Sequence, residues 1–342
     1  MAIVGLISHS GAAQDVRRLT SLARTIDVHE RVNVAARILA GVAATPDVCV
    51  CYLDEPTRVV ERALAMLAAQ GEGKSLDAWP VGPLGARDAA GTRASSAALV
   101  AAGAGCVVTH GGDGTNRAVV SGWPDAVLVP LPGGTNNAFA RCVDPTAAGL
   151  AAGLYATAPD RFASNVGAAT SLSIAVDGYA VETAIVDVAL LSDEWLGARA
   201  IWDPARLVEA VVVNGDPSVP GLAGVAGMLA PTDGGHPTAV HMRFGSPGRR
   251  ILAPLGPGQL VPLCVRDCRV LGRGETIELS GPGTLAFDGE REVVLRDTES
   301  AHIQIATGGV RVLDVAGLLR DNAVREAPLD IRSRQTTTQG GP

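Results

Sequence analysis

The residues most able to do chemistry form one run, Gly111-Gly112-Asp113-Gly114-Thr115-Asn116. Glycines at this density let a backbone take positive φ and come close to a ligand. Amides of such a loop, and of a helix that starts on it, can hold phosphate without a lysine. Asp113, set between glycines, is placed to bind Mg²⁺ or to take a proton from an attacking hydroxyl. A second run, Pro132-Gly133-Gly134-Thr135-Asn136-Asn137, has the same character. Its Asn136 and Asn137 add neutral donors and acceptors for a triphosphate or a sugar. Further along stands Phe287-Asp288-Gly289-Glu290. Asp-Gly between strand-like residues is a two-residue hairpin turn, and nothing local separates Asp288 or Glu290 from ordinary turn acids. Asp187 lies inside the apolar run 184–190. A buried acid needs a partner, so Asp187 is either hydrogen-bonded structurally or lines a site.

These residues need elements to hold them. Up to about residue 145 the sequence alternates short apolar runs with helical periods, the pattern of a parallel α/β sheet. Residues 2–7, 48–53, 106–110 and 126–131 read as strands; 16–40 (broken near Asp27), 56–69 and 86–102 read as helices. The strands end in polar or glycine-rich turns, and open α/β sheets bind ligands at those carboxyl ends. The two glycine runs follow successive strands and are expected to face one cleft. From about residue 165 the pattern becomes antiparallel. Residues 171–176 and 179–191 flank an Asp177-Gly178 turn, and period-two stretches such as 239–244 and 291–295 follow. A helical stretch, 311–320, comes next, and the tail after Pro328 is polar. The expected organisation is an α/β nucleotide-binding domain over 1–145 and a mostly β substrate domain over 146–310. A return segment, 311–327, and a disordered tail, 328–342, complete it.

Composition removes several classes of function. The chain carries a formal charge of −7, which disfavours sequence-independent nucleic-acid binding. Lys74 is its one lysine. The run Gly71-Glu72-Gly73-Lys74-Ser75 mimics the end of a Walker loop but follows a helix, where a P-loop follows a strand. Lys74 therefore reads as a solvated loop residue. No apolar stretch is long enough to span a bilayer, and residues 1–7 suit a buried strand better than a signal peptide. The cysteines, in apolar runs, read as small hydrophobes of a reduced, cytoplasmic chain.

With these residues assembled, the sequence resembles the superfamily of NAD kinases, diacylglycerol kinases and sphingosine kinases, whose shared signature matches residues 111–115. The nearest likeness is to the ATP-NAD kinase-like acetoin-catabolism protein X group. It is carried by Asp15-Val16-Arg17-Arg18-Leu19, residues 111–117, Gly134-Thr135-Asn136-Asn137, residues 197–200 with Trp202-Asp203-Pro204, and residues 285–292. The resemblance implies a Rossmann-like α/β domain followed by a mostly β domain. It makes Asp113 the central catalytic or metal-organising acid and Glu290 a candidate base, with Asp288 beside the metal. Gly111, Gly112, Gly114, Thr115 and Asn116, with Gly133, Gly134, Thr135, Asn136 and Asn137, would bind nucleotide phosphates. Asp187 would meet the substrate. Val186 stands where NAD kinases place asparagine, so one acceptor contact of that family is missing.

The expected activity is phosphoryl transfer from ATP with Mg²⁺ to a hydroxyl, NAD leading as acceptor and a lipid or small polyol linked to acetoin catabolism as the alternative. A non-catalytic nucleotide or dinucleotide sensor is the rival class. A small-molecule substrate and a homo-oligomer are expected. Arg17, Arg18 and Arg117 read as solvated surface that could add charge.

Overall fold

The computed structural model describes residues 1–9, 21–22, 26–70, 76–86, 88–135, 137–177, 182–192, 203–231 and 237–325. Arg17, Arg18, Lys74 with the Walker-like run, Asn136, residues 197–202 and the tail beyond 325 lie outside them.

The first part of the chain alternates strand and helix. In order these are β1 (Ala2–Ser8), α1 (Val28–Ala43), β2 (Val48–Leu53), α2 (Val59–Ala69), β3 (Ala78–Val81), α3 (Ala89–Ala101), β4 (Cys106–Gly111), α4 (Asp113–Gly122), β5 (Leu128–Pro132), α5 (Pro145–Thr157) and β6 (Val166–Ala169). The break foreseen near Asp27 is a helix start, where the Asp27 carboxylate caps α1 by accepting the Glu30 N–H. Strands β3-β2-β1-β4-β5 lie side by side and parallel. The direction of winding reverses between β1 and β4, and crevices for ligands open at such points.

The second part is antiparallel: β7 (Leu172–Val176), β8 (Glu182–Ala184), β9 (Asp187–Leu191), β10 (Leu207–Val213), a short helix α6 (Leu222–Leu229), β11 (Ala239–Gly256), β12 (Gln259–Leu271), β13 (Thr276–Ser280), β14 (Gly283–Phe287), β15 (Glu290–Leu295) and β16 (Ser300–Ile305). They form a six-stranded sheet, β12-β11-β10-β9-β14-β15, and a four-stranded one, β13-β16-β7-β8. The chain then returns. β17 (Val310–Leu313), a strand where the stretch 311–320 was expected to be helical, slots into the first sheet between β5 and β6, and α7 (Val315–Arg325) packs against α5.

Two differences from the sequence reading have clear causes. The helix α5 was not foreseen, and it and β6 pack with the first sheet, past the expected boundary at 145. Helices α1 and α5 touch backbone to backbone: a Cβ on Gly149 would lie 2.0 Å from the Ile38 carbonyl oxygen, and one on Gly41 would lie 2.1 Å from that of Thr146. The glycines of these two helices are there for close packing. In addition, the strand expected over 179–191 is divided. Glu182–Ala184 pairs with β7 in one sheet, whereas Asp187–Leu191 pairs with β10 and β14 in the other.

The apolar core is in three parts. One packs Val4, Leu6 and Val50 of the first sheet against α1 and α5. Another lies between the two antiparallel sheets, with Val188, Leu190 and Val211 facing Ile174 and Ile303. The third joins the halves: Ile7, Leu53, Val107 and Val119 share a cluster with Ile185, Val186 and Ala189. At roughly 25 cal/mol per Å² of apolar area removed from water, such a shared core holds the two halves in fixed register.

Candidate active site

The two glycine loops meet at the carboxyl edge of β4 and β5. The last residue pair of that ladder is Gly111 with Pro132, and the Gly133 N–H donates to the Gly111 carbonyl at 2.9 Å. Beyond it the backbones touch: a Cβ on Gly134 would lie 2.5 Å from the Gly112 Cα. A Cβ on Gly133 would lie 2.8 Å from the His110 ring, and one on Gly111 would lie 2.6 Å from the Thr115 side chain. The glycines were expected to serve positive φ, and this is corrected: none of Gly111, Gly112, Gly114, Gly133 and Gly134 is in that region. Glycine stands at 133 and 134 because a Cβ there would run into the first loop.

Asp113 opens α4 and is 7% exposed. Its carboxylate reaches the second loop, where the Ala138 and Phe139 N–H groups donate to it at 3.0 and 3.1 Å. Asp113 thus ties the end of the second loop to the start of the helix. Asn116 is fully buried: Thr109 Oγ1 donates to its Oδ1 at 2.6 Å, and its Nδ2 donates to the Gly112 carbonyl at 3.2 Å. It braces the first loop from inside, which corrects its expected contact with phosphate. Asn137 closes its own loop by exchanging hydrogen bonds with the Gly134 backbone at 2.8 and 3.0 Å. Thr135 is buried beside it. The helix N-terminus keeps its anion-binding character, since Gly112 as N-cap has no side chain to cover the first amides.

The second domain delivers Glu290 to this place. A Cβ on Gly114 would lie 3.1 Å from Glu290 Oε1, so the carboxylate stands against the first turn of α4. The turn that carries it is the expected two-residue hairpin, with Phe287 opposite Glu290 and both Asp288 (φ 51°) and Gly289 (φ 79°) left-handed.

Asp288, for which the resemblance implies a place beside the metal, holds backbone amides in this arrangement. The chain crosses between sheets at Ile185 and Val186, where backbone N–H groups lose ladder partners and must be satisfied otherwise. Asp288 satisfies them: Ile185, Val186 and Asp187 N–H groups donate to its Oδ1 at 3.0, 2.7 and 3.2 Å. Its other oxygen lies 3.4 Å from Arg117 Nε, and both side chains are buried. Burial pushes the Asp288 carboxyl up to about 6, against the pull of Arg117 and the three amides. Asp187 is buried next to this knot, and its backbone carbonyl accepts the Asp288 N–H at 2.9 Å.

Arg117 is only 5% exposed, so its reading as solvated surface is also corrected. It lies on α4 one turn beyond Gly114, a spacing that gains meaning only once Asp288 is known to face it. At the neighbouring end of β1, Ser8 and His9 are buried. The His9 N–H donates to the His110 carbonyl at 3.3 Å, and the buried Arg31 donates to the His9 carbonyl at 2.8 Å. Among the described residues no group of three or more His, Cys, Asp or Glu is arranged to hold a metal. No described helix is long and apolar enough to cross a membrane.

The class is that of kinase-type α/β proteins: residues 82–160 match the diacylglycerol kinase catalytic domain, and residues 170–308 match the acetoin catabolism protein X C-terminal domain. The chain is 30% identical over 329 residues to acetoin catabolism protein X of Cupriavidus necator (strain H16), covering 93% of this chain and 91% of that relative. It belongs to the acetoin catabolism protein X family. Among solved structures it is similar to yeast NADH kinase complexed with NADH, at 11% identity and a TM-score of 0.48 over 99% of this chain and 90% of that one. It is also similar to a diacylglycerol kinase-like protein of Bacillus anthracis strain Sterne, at 15% identity and 0.43 over 91% and 97%.

Proposed function

We propose that the protein transfers the terminal phosphoryl group of ATP to a hydroxyl acceptor at the junction of its two domains, with NAD the leading acceptor and a lipid or small polyol the alternative. The observation that carries this reading is the Glu290 carboxylate set against Gly114 at an uncapped helix N-terminus. Phosphoryl transfer needs positioning and charge neutralisation more than covalent chemistry. The touching glycine loops and the first amides of α4 would hold the nucleotide phosphates. Glu290, whose carboxylate the second domain sets against Gly114, would receive the acceptor proton. Asp113 would act by holding the second loop in place through Ala138 and Phe139. Mg²⁺, when carried in with the triphosphate, would supply charge neutralisation.

The test is ADP release from Mg²⁺·ATP with NAD, diacylglycerol or acetoin as acceptor, comparing wild type with Glu290→Gln and Asp113→Asn. We expect Glu290→Gln to lower kcat by roughly 10²-fold or more while ATP binding is kept. Equal acceptor-dependent turnover in wild type and Glu290→Gln would overturn the assignment of Glu290. ATP binding with no turnover on any acceptor would favour a nucleotide sensor.

A further inference from the structure

We infer that Arg117 is a positioning residue, which sets where Glu290 stands over the glycine loop by clamping the Asp288-Gly289 turn to α4. The inference rests on the phosphoryl-transfer reading above and adds to it the part that aligns the two domains.

The first domain meets the β14–β15 turn at two points one helical turn apart. Gly114 faces Glu290, and Arg117, three residues along α4 and on the same face, faces Asp288 and Phe287. The Arg117 Cζ lies 5.8 Å from the centroid of the Phe287 ring, and Arg117 Nε lies 3.4 Å from Asp288 Oδ2. Phe287 and Glu290 are paired across the turn, so whatever fixes Phe287 and Asp288 fixes Glu290. The turn is fixed from the other side as well, because Asp288 holds the amides of Ile185, Val186 and Asp187. Glu290 itself is half-buried and needs no deep packing to vary its position.

The chemistry suits arginine. A planar guanidinium can lie over an aromatic ring while pairing with a carboxylate, which a lysine ammonium does less well. A buried pair gives little net stability compared with apolar residues of the same shape, so stability alone does not account for placing it there. What it supplies is a fixed geometry between two domains, and a displacement of about 1 Å at reacting groups can cost roughly 10²-fold in rate.

The experiment measures kcat and ATP dissociation constants for the full chain and for Arg117→Met, Glu290→Gln, the double variant and Arg117→Lys. In Arg117→Met we expect kcat to fall more than about tenfold with the ATP Kd within roughly threefold of wild type. In the double variant the further loss beyond Glu290→Gln is expected to be under about threefold, because a displaced Glu290 has little left to lose. Losses that multiply, or an Arg117→Met kcat equal to wild type, would overturn the proposal. If Arg117→Met does not fold, Arg117→Lys carries the same comparison. A lowered kcat with unchanged ATP affinity and non-multiplying losses supports the clamp; wild-type kcat overturns it. Should wild type turn over no acceptor, the phosphoryl-transfer reading fails, and hydrogen exchange then decides on the clamp. Faster exchange of 283–290 in Arg117→Met, with 48–53 unchanged, supports it; unchanged exchange at 283–290 overturns it.

Discussion

Gly112 and Gly134 are held by contact between their own backbones, so the two loops form one surface whose depth is set by the absence of side chains. A methyl group at 134 has to push against the Gly112 Cα, which is main chain and cannot rotate away. The Gly134→Ala variant is therefore expected to open the loops and weaken ATP binding by roughly tenfold, about 1.4 kcal/mol, in isothermal titration. Gly114→Ala differs in kind. Its methyl meets the far end of the Glu290 side chain, so the expected loss is in kcat with ATP affinity kept. A tenfold fall in ATP affinity for Gly114→Ala, with none for Gly134→Ala, would reverse the roles given to the two positions.

Among the elements, α1 and α5 show how glycine can make a helix pair. Gly149→Ala places a Cβ 2.0 Å from the Ile38 carbonyl oxygen and is expected to cost about 3 kcal/mol in a denaturant melt, at the upper end for overpacking. Gly105→Ala, whose Cβ would meet nothing nearer than 3.6 Å, is the control and is expected to change stability by less than about 0.5 kcal/mol. A Gly149→Ala melt as unperturbed as the control would remove the close-packing account. This pair also shows what was legible in the sequence. β1, β2, β4 and β5 are readable because a strand buried on both faces is an unbroken apolar run ending in a polar turn. The Asp-Gly hairpin is readable because its turn chemistry is local. Helix α5 is not, since the reason for Gly149 lies on α1, far back along the chain. Arg117 and Asp288 are not readable either: each is an ordinary polar residue in its own neighbourhood, and their meaning comes from the other domain. The division of 182–191 between two sheets likewise leaves no trace in a run that reads as one strand. The site as a cluster of residue types was visible, whereas the distribution of tasks within it was not. Asp113 and Asp288 accept backbone N–H groups and Asn116 donates to a backbone carbonyl, and only the surrounding main chain gives them that task.

At the scale of the molecule, the carboxyl edge of the first sheet carries a buried histidine beside the glycine loops. Burial lowers the His9 pKa below 6.5; Arg31 adds to this, and a hydrogen bond to the Asp88 backbone with the nearby charges of Glu55 and Asp88 opposes it. The unfolded chain binds the proton more tightly, so stability from a neutral His9 is fully present above about pH 6.5 and is lost as pH falls below it. A His9→Gln variant is expected to show a flatter dependence of unfolding free energy on pH between about 6.5 and 5 than wild type. The same slope in both would assign the dependence to another group. The order of strands in the first sheet has a consequence of another kind. β17 lies between β5 and β6, so a gap next to the edge of that sheet is filled by residues made after the whole antiparallel part. During synthesis the amino-terminal half waits with unpaired strand edges on β5 and β6 until Val310–Leu313 arrives. The contacts that complete the sheet join residues far apart in sequence, Val312 with Leu128 and with Gly167, and such contacts form slowly because the closing loop is long. The two halves are thus separate units of architecture but one unit of folding, and the glycine-loop domain is finished last although it is made first.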